Sequence, residues 1–218
     1  MFKAALIAIN DITSPELRGV LWKSIALCIG LFAALLFGIE FVVSSLAQFA
    51  WAWATSGLQV ITGLGLIAAF FFLMAPVTAL FAGLFQDGIA AKLEQRHYPN
   101  QPAGKTLSYA TGITVSLKFA ALTLGIGLVV LPLVLFAGFG AVLIWLANSY
   151  LISREYFELT AARYMPMTEA VAMRRSHATR IFIAGLIPGA LSLVPFVNFV
   201  TPVFATSYFL HLFKERAS

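Results

Sequence analysis

The sequence predicts an all-helical integral membrane protein that forms a single membrane domain over residues 1–218, and three observations support this fold class. Hydrophobic residues make up 61% of the chain and charged residues only 11%, which lies outside the range of soluble domains. Four apolar blocks each exceed the length of about 18 residues that indicates a membrane span. The basic residues lie in short segments between these blocks, so the net charge of +5 orients the chain in a bilayer and does not indicate nucleic-acid binding.

The N-terminal segment has the pattern of a helix that lies at the membrane interface. Its large apolar residues recur every three or four positions, at Phe2, Leu6, Ile9 and Ile12. Lys3, Asn10 and Asp11 fall off this stripe, as expected for the polar face of an interfacial helix. A disordered tail is the alternative.

The first two apolar blocks predict two long transmembrane helices joined by an outer turn. Block one covers Gly19–Ala50 and block two covers Gly57–Phe85, and the turn between them carries Trp51 and Trp53, a residue type that collects at membrane boundaries. The loop after block two is basic because of three residues, Lys92, Arg96 and Lys105. By the positive-inside rule this loop and the N-terminus are cytoplasmic.

The last two blocks predict helical hairpins. Block three, Thr106–Ser153, contains Pro132, Gly138 and Gly140, which weaken helical continuity and allow the chain to turn back. Block four, Ile181–Phe213, exceeds one span of about 20 residues but is too short for two spans and a turn. Two half-length helices that meet within the membrane at a turn containing Asn198 would form a re-entrant hairpin. One long kinked span is the alternative.

A helix start is predicted directly before block one. Thr13 or Ser14 suits the N-cap, Pro15 suits the first turn, and Glu16 can close a capping box with Thr13. The positive end of this helix, joined by Arg18 one turn inside, predicts a seat for an anion. In the alternative arrangement Glu16 itself occupies the dipole and Arg18 extends to lipid headgroups.

Motifs for catalysis, cofactors or metals are lacking, so we expect no enzyme activity, no cofactor and no metal site. His97, His177 and His211 are far apart in sequence and adjoin basic or interfacial segments, which predicts solvated side chains. Cys28 is the only cysteine, so no intramolecular disulfide can form. Glu40 lies inside block one, where an ionisable group indicates either a transport pathway or an interfacial charge. The scattered glycines and prolines indicate close helix packing and broken helices.

Four stretches of the chain together resemble the CysZ-type sulfate permeases. They are SPELRGVLW, PVTALFAGLFQDGIAAKLEQRHYP, SREYFELTAARY and MRRSHATRIFIAGLIPGALSLVPFVNFVTPVFAT, and the last is the most specific. The resemblance covers most of the chain. It implies a multi-pass permease or channel of the bacterial inner membrane that supplies sulfate for cysteine synthesis. It also implies two spanning helices, partly penetrating hairpins and a homo-oligomer in the lipid bilayer.

The resemblance also implies an anion-binding site at the start of block one. The family's Gly-Leu-Arg motif falls on Glu16, Leu17 and Arg18, which makes Leu17, Arg18 and Gly19 the candidate binding residues. Glu16 replaces the motif's glycine. A carboxylate at this place weakens anion binding unless it turns away or pairs with a nearby base such as Lys23.

Four further residues are pathway candidates. Arg174 and Arg175 would supply positive potential at the cytoplasmic end, Asn198 would offer an uncharged hydrogen bond at the hairpin tip, and Glu40 lies within a span. A permease for another small anion or solute is one alternative, which the glutamate in place of the motif's glycine favours. A membrane scaffold or assembly protein without transport is another, and it predicts that Arg18 and Asn198 can be replaced without loss of function.

Overall fold

The computed structural model describes residues 1–47, 85–107, 140–194 and 197–217, together with parts of the stretch 112–129. Every regular element in these residues is a helix and none is a strand, which confirms the all-α fold class. The predictions for Trp51, Trp53 and most of block two fall outside the described residues, as do those for Pro132 and Gly138.

The helices in chain order are α1 (Phe2–Ile12), α2 (Pro15–Ala47), α3 (85–97), α4 (Gly140–Ala162), α5 (Met167–Ser176), α6 (Ala178–Ser192) and α7 (Thr201–Ala217). A short 3-10 turn, Val197–Phe199, lies between α6 and α7. Further helical residues occur within 112–129. Of the helices described, none combines the length and the apolar character needed to cross a membrane.

Helix α2 starts where the sequence predicts. The helix begins at Pro15, and the carbonyl of Ser14 accepts the N–H of Leu17 at 3.2 Å, so Ser14 is the N-cap. The hydroxyl of Thr13 donates to the carbonyl of Asn10 at 2.9 Å, in the last turn of α1. Thr13 is therefore the C-cap of α1, and its hydroxyl group bonds to the end of α1 and not to the start of α2.

Helix α1 packs on α7 through small residues. Ala4, Ala5 and Ala8 are buried in a cluster with aromatic side chains of α7, among them Phe204 and Tyr208. Three of the four large apolar residues of the predicted stripe face away from the protein, with Phe2 83%, Leu6 63% and Ile9 55% exposed, whereas Ile12 is partly buried against the core. The alanine face thus provides the packing against α7, and the predicted apolar stripe is left open on the outer side.

Block four is broken into two helices near Asn198, as predicted, and the alternative of one long kinked helix is wrong. Residues from the first turn of α6 and from the last turns of α7 line one small cavity with the N-terminus, namely Met1, Arg180, Ile181, Phe209 and Leu212. The two helices therefore run back on each other as a hairpin.

Two glycines bring α6 close to α4. A Cβ atom at Gly185 would lie 2.5 Å from the carbonyl oxygen of Ser149, and one at Gly189 would lie 2.1 Å from the Ser149 hydroxyl oxygen. Because no side chain fits at either position, the two backbones can approach one another. The prediction that glycines serve close helix packing is confirmed at these positions.

Candidate functional site

The start of α2 holds the residues predicted to bind an anion. Leu17 is 1% exposed and packs in an apolar cluster with Ile89 and Leu93 of α3. Arg18 and Gly19 are exposed, and a side chain at Gly19 would meet no atom within 4 Å. Leu17 therefore fixes the first turn of α2 against α3, whereas Arg18 and Gly19 are open to solvent.

Glu16, which stands at the glycine position of the family motif, contacts two bases of α3. Its Oε2 atom accepts a hydrogen bond from Nη1 of Arg96 at 3.0 Å, and its backbone carbonyl accepts one from Nζ of Lys92 at 2.9 Å. The base that pairs with Glu16 is thus Arg96 and not Lys23. Lys23 lies about two turns further along the same helix, roughly 11 Å away along the axis.

The carboxylate of Glu16 also occupies the positive end of α2. A hydrogen bond from its own backbone N–H lowers the pKa of Glu16 below 4.5, because this bond and the charge of Arg96 together outweigh the opposing effect of burial. Glu16 is therefore ionised at neutral pH and interacts favourably with the helix dipole. The charged carboxylate of Glu16 thus lies at the start of α2 and pairs with Arg96 of α3, as the alternative arrangement expects for Glu16, whereas the role of Arg18 stays a prediction.

Arg174 and Arg175 lie on a different part of the fold. Nε of Arg174 lies 2.5 Å from Oε1 of Glu158 on α4, and the same oxygen lies 3.5 Å from Nε of Arg154. Arg175 is exposed. Within the part of the chain that the structure describes, no hydrogen bond or ion pair links either arginine to Arg18. Arg174 is therefore part of an ion-pair network between α4 and α5.

The remaining pathway candidates lie on other elements. Asn198 is partly exposed in the 3-10 turn, which contacts α2, and its backbone N–H donates to the carbonyl of Val194 at 3.1 Å. Glu40 is exposed on the second half of α2. The structure does not bring these candidates into one group with Arg174, so their common role stays a prediction.

A buried polar cluster lies where α1, α3 and α7 meet. Asp11 is 0% exposed, and its Oδ1 lies 2.7 Å from Nε2 of His97, while its Oδ2 lies 3.0 Å from Nε2 of His211. The hydroxyl of Ser207 donates to Oδ2 at 2.6 Å, and the hydroxyl of Tyr98 lies 2.7 Å from Nδ1 of His211. These five residues are called the Asp11 cluster below.

Hydrogen bonding keeps the centre of this cluster charged. Burial raises the pKa of Asp11, but hydrogen bonds from His211, Ser207 and His97 outweigh that effect and hold the pKa below 3.8. Burial, together with nearby carboxylates, raises the pKa of Tyr98 to about 12, so its hydroxyl stays protonated. The Asp11 cluster therefore consists of a carboxylate with two imidazoles directed at it and a phenol behind one of them.

The prediction that all three histidines are solvated is wrong for two of them. His211 is 1% exposed and the side chain of His97 is 25% exposed, whereas His177 is exposed as predicted. The residues that converge are far apart in sequence, and only helix packing joins them. One local signal was present, because Asp11 shares the alanine face of α1 that is buried against α7.

A second polar cluster ties α3 to the end of α4. Nη2 of Arg163 lies 3.0 Å from Oε2 of Glu94, and its Nη1 pairs with Asp87. The hydroxyl of Tyr164 and the backbone N–H of Gly104 also donate to Glu94. Because the buried guanidinium of Arg163 is fully paired with protein groups, it serves as a structural tie and does not offer an open seat for an anion.

The family described as Sulfate transporter CysZ/Etoposide-induced protein 2.4 matches residues 4–202, a segment that includes the start of α2 and all of α4 to α6. No curated protein matches the sequence. Because the family match covers most of the chain, the protein belongs to the sulfate transporter CysZ/etoposide-induced protein 2.4 family.

Proposed function

We propose that this protein is a permease or channel that carries sulfate across a bacterial inner membrane and thereby supplies sulfur for cysteine synthesis. The observation that carries the proposal is a group of exposed basic side chains near Glu16 at the start of α2. Lys92 and Arg96 contact Glu16, and Arg18 follows Glu16 within the first turn. Membership of a sulfate transporter family supports an oxyanion as the solute.

Sulfate would enter by displacing the carboxylate of Glu16 from Arg96. The side chains of Arg96 and Glu16 are 35% and 54% exposed, and ion pairs in such surroundings are weak, so a divalent oxyanion can compete for the arginine. Each guanidinium can give two parallel hydrogen bonds to an oxyanion. The transfer needs no covalent step, and the proposal therefore assigns no enzyme activity.

The proposal places the protein in a lipid bilayer with α2 as one of two spanning helices, the α6–α7 hairpin as a re-entrant element and α1 at the interface. Support comes from large apolar side chains exposed along α2, namely Trp22 (69%), Ile29 (55%), Phe37 (72%) and Phe41 (73%). In the folded protein such a row calls for a covering of lipid or of further copies of the chain. A homo-oligomer embedded in lipid meets this requirement.

The other candidates receive separate roles in this proposal. Arg175, which is exposed, adds positive potential at the cytoplasmic end, while the pairing with Glu158 makes Arg174 a residue that positions α5. Asn198 offers an uncharged hydrogen bond at the turn of the hairpin. Glu40 lies on the half of α2 away from Arg18, so it would be a charged group within the pathway beyond the entrance and not a binding group for the anion.

A permease for another small anion is a second candidate, and the pairing of Glu16 with Arg96 favours it because the entrance differs from the family motif. The experiment that tests both is uptake of radioactive sulfate by liposomes that contain only the purified protein, with unlabelled phosphate or chloride as competitors. We expect saturable sulfate uptake that phosphate and chloride reduce weakly. Strong competition by another anion would reassign the solute, and uptake no faster than in empty liposomes would favour a scaffold without transport.

A further inference from the structure

The Asp11 cluster is not used by the proposed transport step, and its interpretation does not depend on that proposal. It joins three helices that are distant in sequence, since Asp11 lies in the last turn of α1, His97 is the last residue of α3 and His211 lies in α7. The carboxylate and the two imidazoles each offer one ligand atom, and these three atoms lie within 4.8 Å of one another. The three atoms are therefore close enough together to bind one ion.

The donor types suit a divalent transition metal. Imidazole nitrogen and carboxylate oxygen are ligands of Zn²⁺, which binds them at about 2.0–2.2 Å. Around a tetrahedral ion of this size, neighbouring ligand atoms are about 3.3 Å apart. Nε2 of His97 lies 2.7 Å from Oδ1 of Asp11, and Nε2 of His211 lies 3.0 Å from Oδ2, so both nitrogens are slightly closer to the carboxylate than they would be around an ion. Binding of an ion therefore requires the imidazoles to move outward from the carboxylate.

We propose that Asp11, His97 and His211 bind a divalent transition metal ion, Zn²⁺ or one of similar size, which fastens α1 to α3 and α7. The hydroxyl of Ser207, which lies 2.6 Å from Oδ2 of Asp11, or a water molecule supplies the fourth ligand. His97 is partly exposed and lies at the edge of the site, so an ion can enter there.

Tyr98 completes the site as a partner of His211. Without metal, Nε2–H of His211 donates to Asp11, and Nδ1 accepts the hydrogen bond of the Tyr98 hydroxyl. With metal, Nε2 uses its lone pair for the ion, the proton moves to Nδ1, and Nδ1–H donates to the tyrosine oxygen. The same phenol satisfies both tautomers, which is the behaviour of the outer-shell groups that orient metal-bound histidines.

The alternative is a permanent hydrogen-bond tie in which the carboxylate accepts from both imidazoles and no ion enters. Such a tie explains the short distances equally well, but it predicts that zinc has no effect on the protein. The two interpretations are therefore separated by metal binding itself, independently of any transport measurement.

The test is isothermal titration calorimetry, in which Zn²⁺ is added to the purified full-length protein in detergent after treatment with a chelator, and the affinity and stoichiometry of zinc binding are measured. We expect about one tight site per chain, at least tenfold weaker binding to His97→Ala and Asp11→Asn, and unchanged binding to His177→Ala, the exposed histidine that serves as a matched control. Tyr98→Phe keeps every ligand atom and should weaken binding by about 10- to 100-fold.

Thermal unfolding gives a second readout that separates binding from folding. Zn²⁺ should raise the melting temperature of the wild-type protein and of His177→Ala but not that of His97→Ala, whose side chain is partly exposed and is not needed to fill the core. The proposal is overturned if the wild-type protein shows no stoichiometric zinc binding. Equal zinc binding by His97→Ala and the wild-type protein would overturn it as well.

Discussion

Nη1 of Arg96 lies 3.0 Å from Oε2 of Glu16, a carboxylate 80 positions earlier in the chain, so the residue that departs from the family motif is held by a base of another helix. In this pair the carboxylate of Glu16 occupies the guanidinium of Arg96, to which an incoming anion would bind. Glu16 therefore acts as an internal competitor for the proposed sulfate site.

Replacing Glu16 by Gly should tighten sulfate binding. The substitution removes the carboxylate from Arg96 and restores the glycine of the family motif, so we expect affinity to rise roughly two- to fivefold at low ionic strength, as suits an exposed ion pair. Isothermal titration with sulfate measures the change. At about 1 M salt the electrostatic reach falls to roughly 3 Å and the difference should shrink.

Arg96→Ala is the matched control for that experiment. It removes the base and leaves the carboxylate of Glu16 beside the entrance, so the sulfate affinity of this variant should be lower than that of the wild-type protein, whereas that of Glu16→Gly should be higher. If Glu16→Gly leaves sulfate affinity unchanged at low salt, the carboxylate is not near the bound anion and does not compete with it.

The loop after α3 and the end of α7 should lie on the same side of the membrane. Nζ of Lys214 donates to the backbone carbonyl of Pro102 at 3.0 Å, which holds the two segments together. In a Cys28→Ser background, cysteines introduced as Ala103→Cys and Ser218→Cys should both react with an impermeant reagent from the cytoplasmic side. Labelling of only one of them from that side would contradict the hairpin of α6 and α7.

Gly189→Ala should destabilise the protein. Its Cβ would lie 2.1 Å from the hydroxyl oxygen of Ser149 and 2.9 Å from the Ser149 Cα, so α4 and α6 must separate, at a cost of about 1–3 kcal/mol. Gly88→Ala is the matched control, because a Cβ there meets no atom within 4 Å and should stabilise α3 by about 0.5–1 kcal/mol. Denaturant unfolding measures both, and equal effects would exclude close packing at Gly189.

Acid should weaken the tie between Glu94 and Arg163. Burial raises the pKa of Glu94, but the hydrogen bonds and charge of Arg163 and the bond from Tyr164 outweigh it, and the pKa in the folded state lies below 4.5. A carboxyl group with a depressed pKa stabilises the fold fully above its unfolded value, and this contribution is lost as the pH falls through 4.5 towards the folded value.

Glu94→Gln tests this dependence. The variant should be less stable than the wild-type protein by about 3–5 kcal/mol at neutral pH, because it breaks a buried ion pair. The gap should close as the pH falls below 4.5. The exposed Glu169→Gln serves as control and should follow the wild-type curve. A gap for Glu94→Gln that is independent of pH would mean that its charge does not stabilise the fold.

Local sequence signals predicted those parts of the fold that depend on neighbouring residues. Pro15 marks the start of α2, and the turn around Asn198 breaks block four, because proline and helix-capping residues act within a few positions. The small residues at Gly185 and Gly189 likewise indicated a close helix contact, although the sequence could not show that the partner is Ser149 of α4.

The candidate sites depended on contacts between distant segments. Glu16 pairs with Arg96, which lies 80 positions later in the chain. Asp11 contacts His97 and His211, which lie 86 and 200 positions later. No helical periodicity links residues so far apart, which is why the sequence suggested Lys23, a base on the same helix, as a partner of Glu16 in place of Arg96. Packing of α1 and α2 against α3 and α7 decides these pairs.

The proposal that Arg18 binds sulfate on its way through the membrane can be tested by sulfate uptake into liposomes that contain Arg18→Lys. Lysine keeps the charge that orients the chain but cannot form the paired hydrogen bonds of a guanidinium. We expect normal orientation with uptake about tenfold slower, as for a loss of about 1.4 kcal/mol, and an equal or larger loss for Arg18→Ala. Lys3→Ala, an exposed base of α1, should transport normally. Wild-type uptake through Arg18→Lys would contradict the claim and make Arg18 a determinant of orientation only.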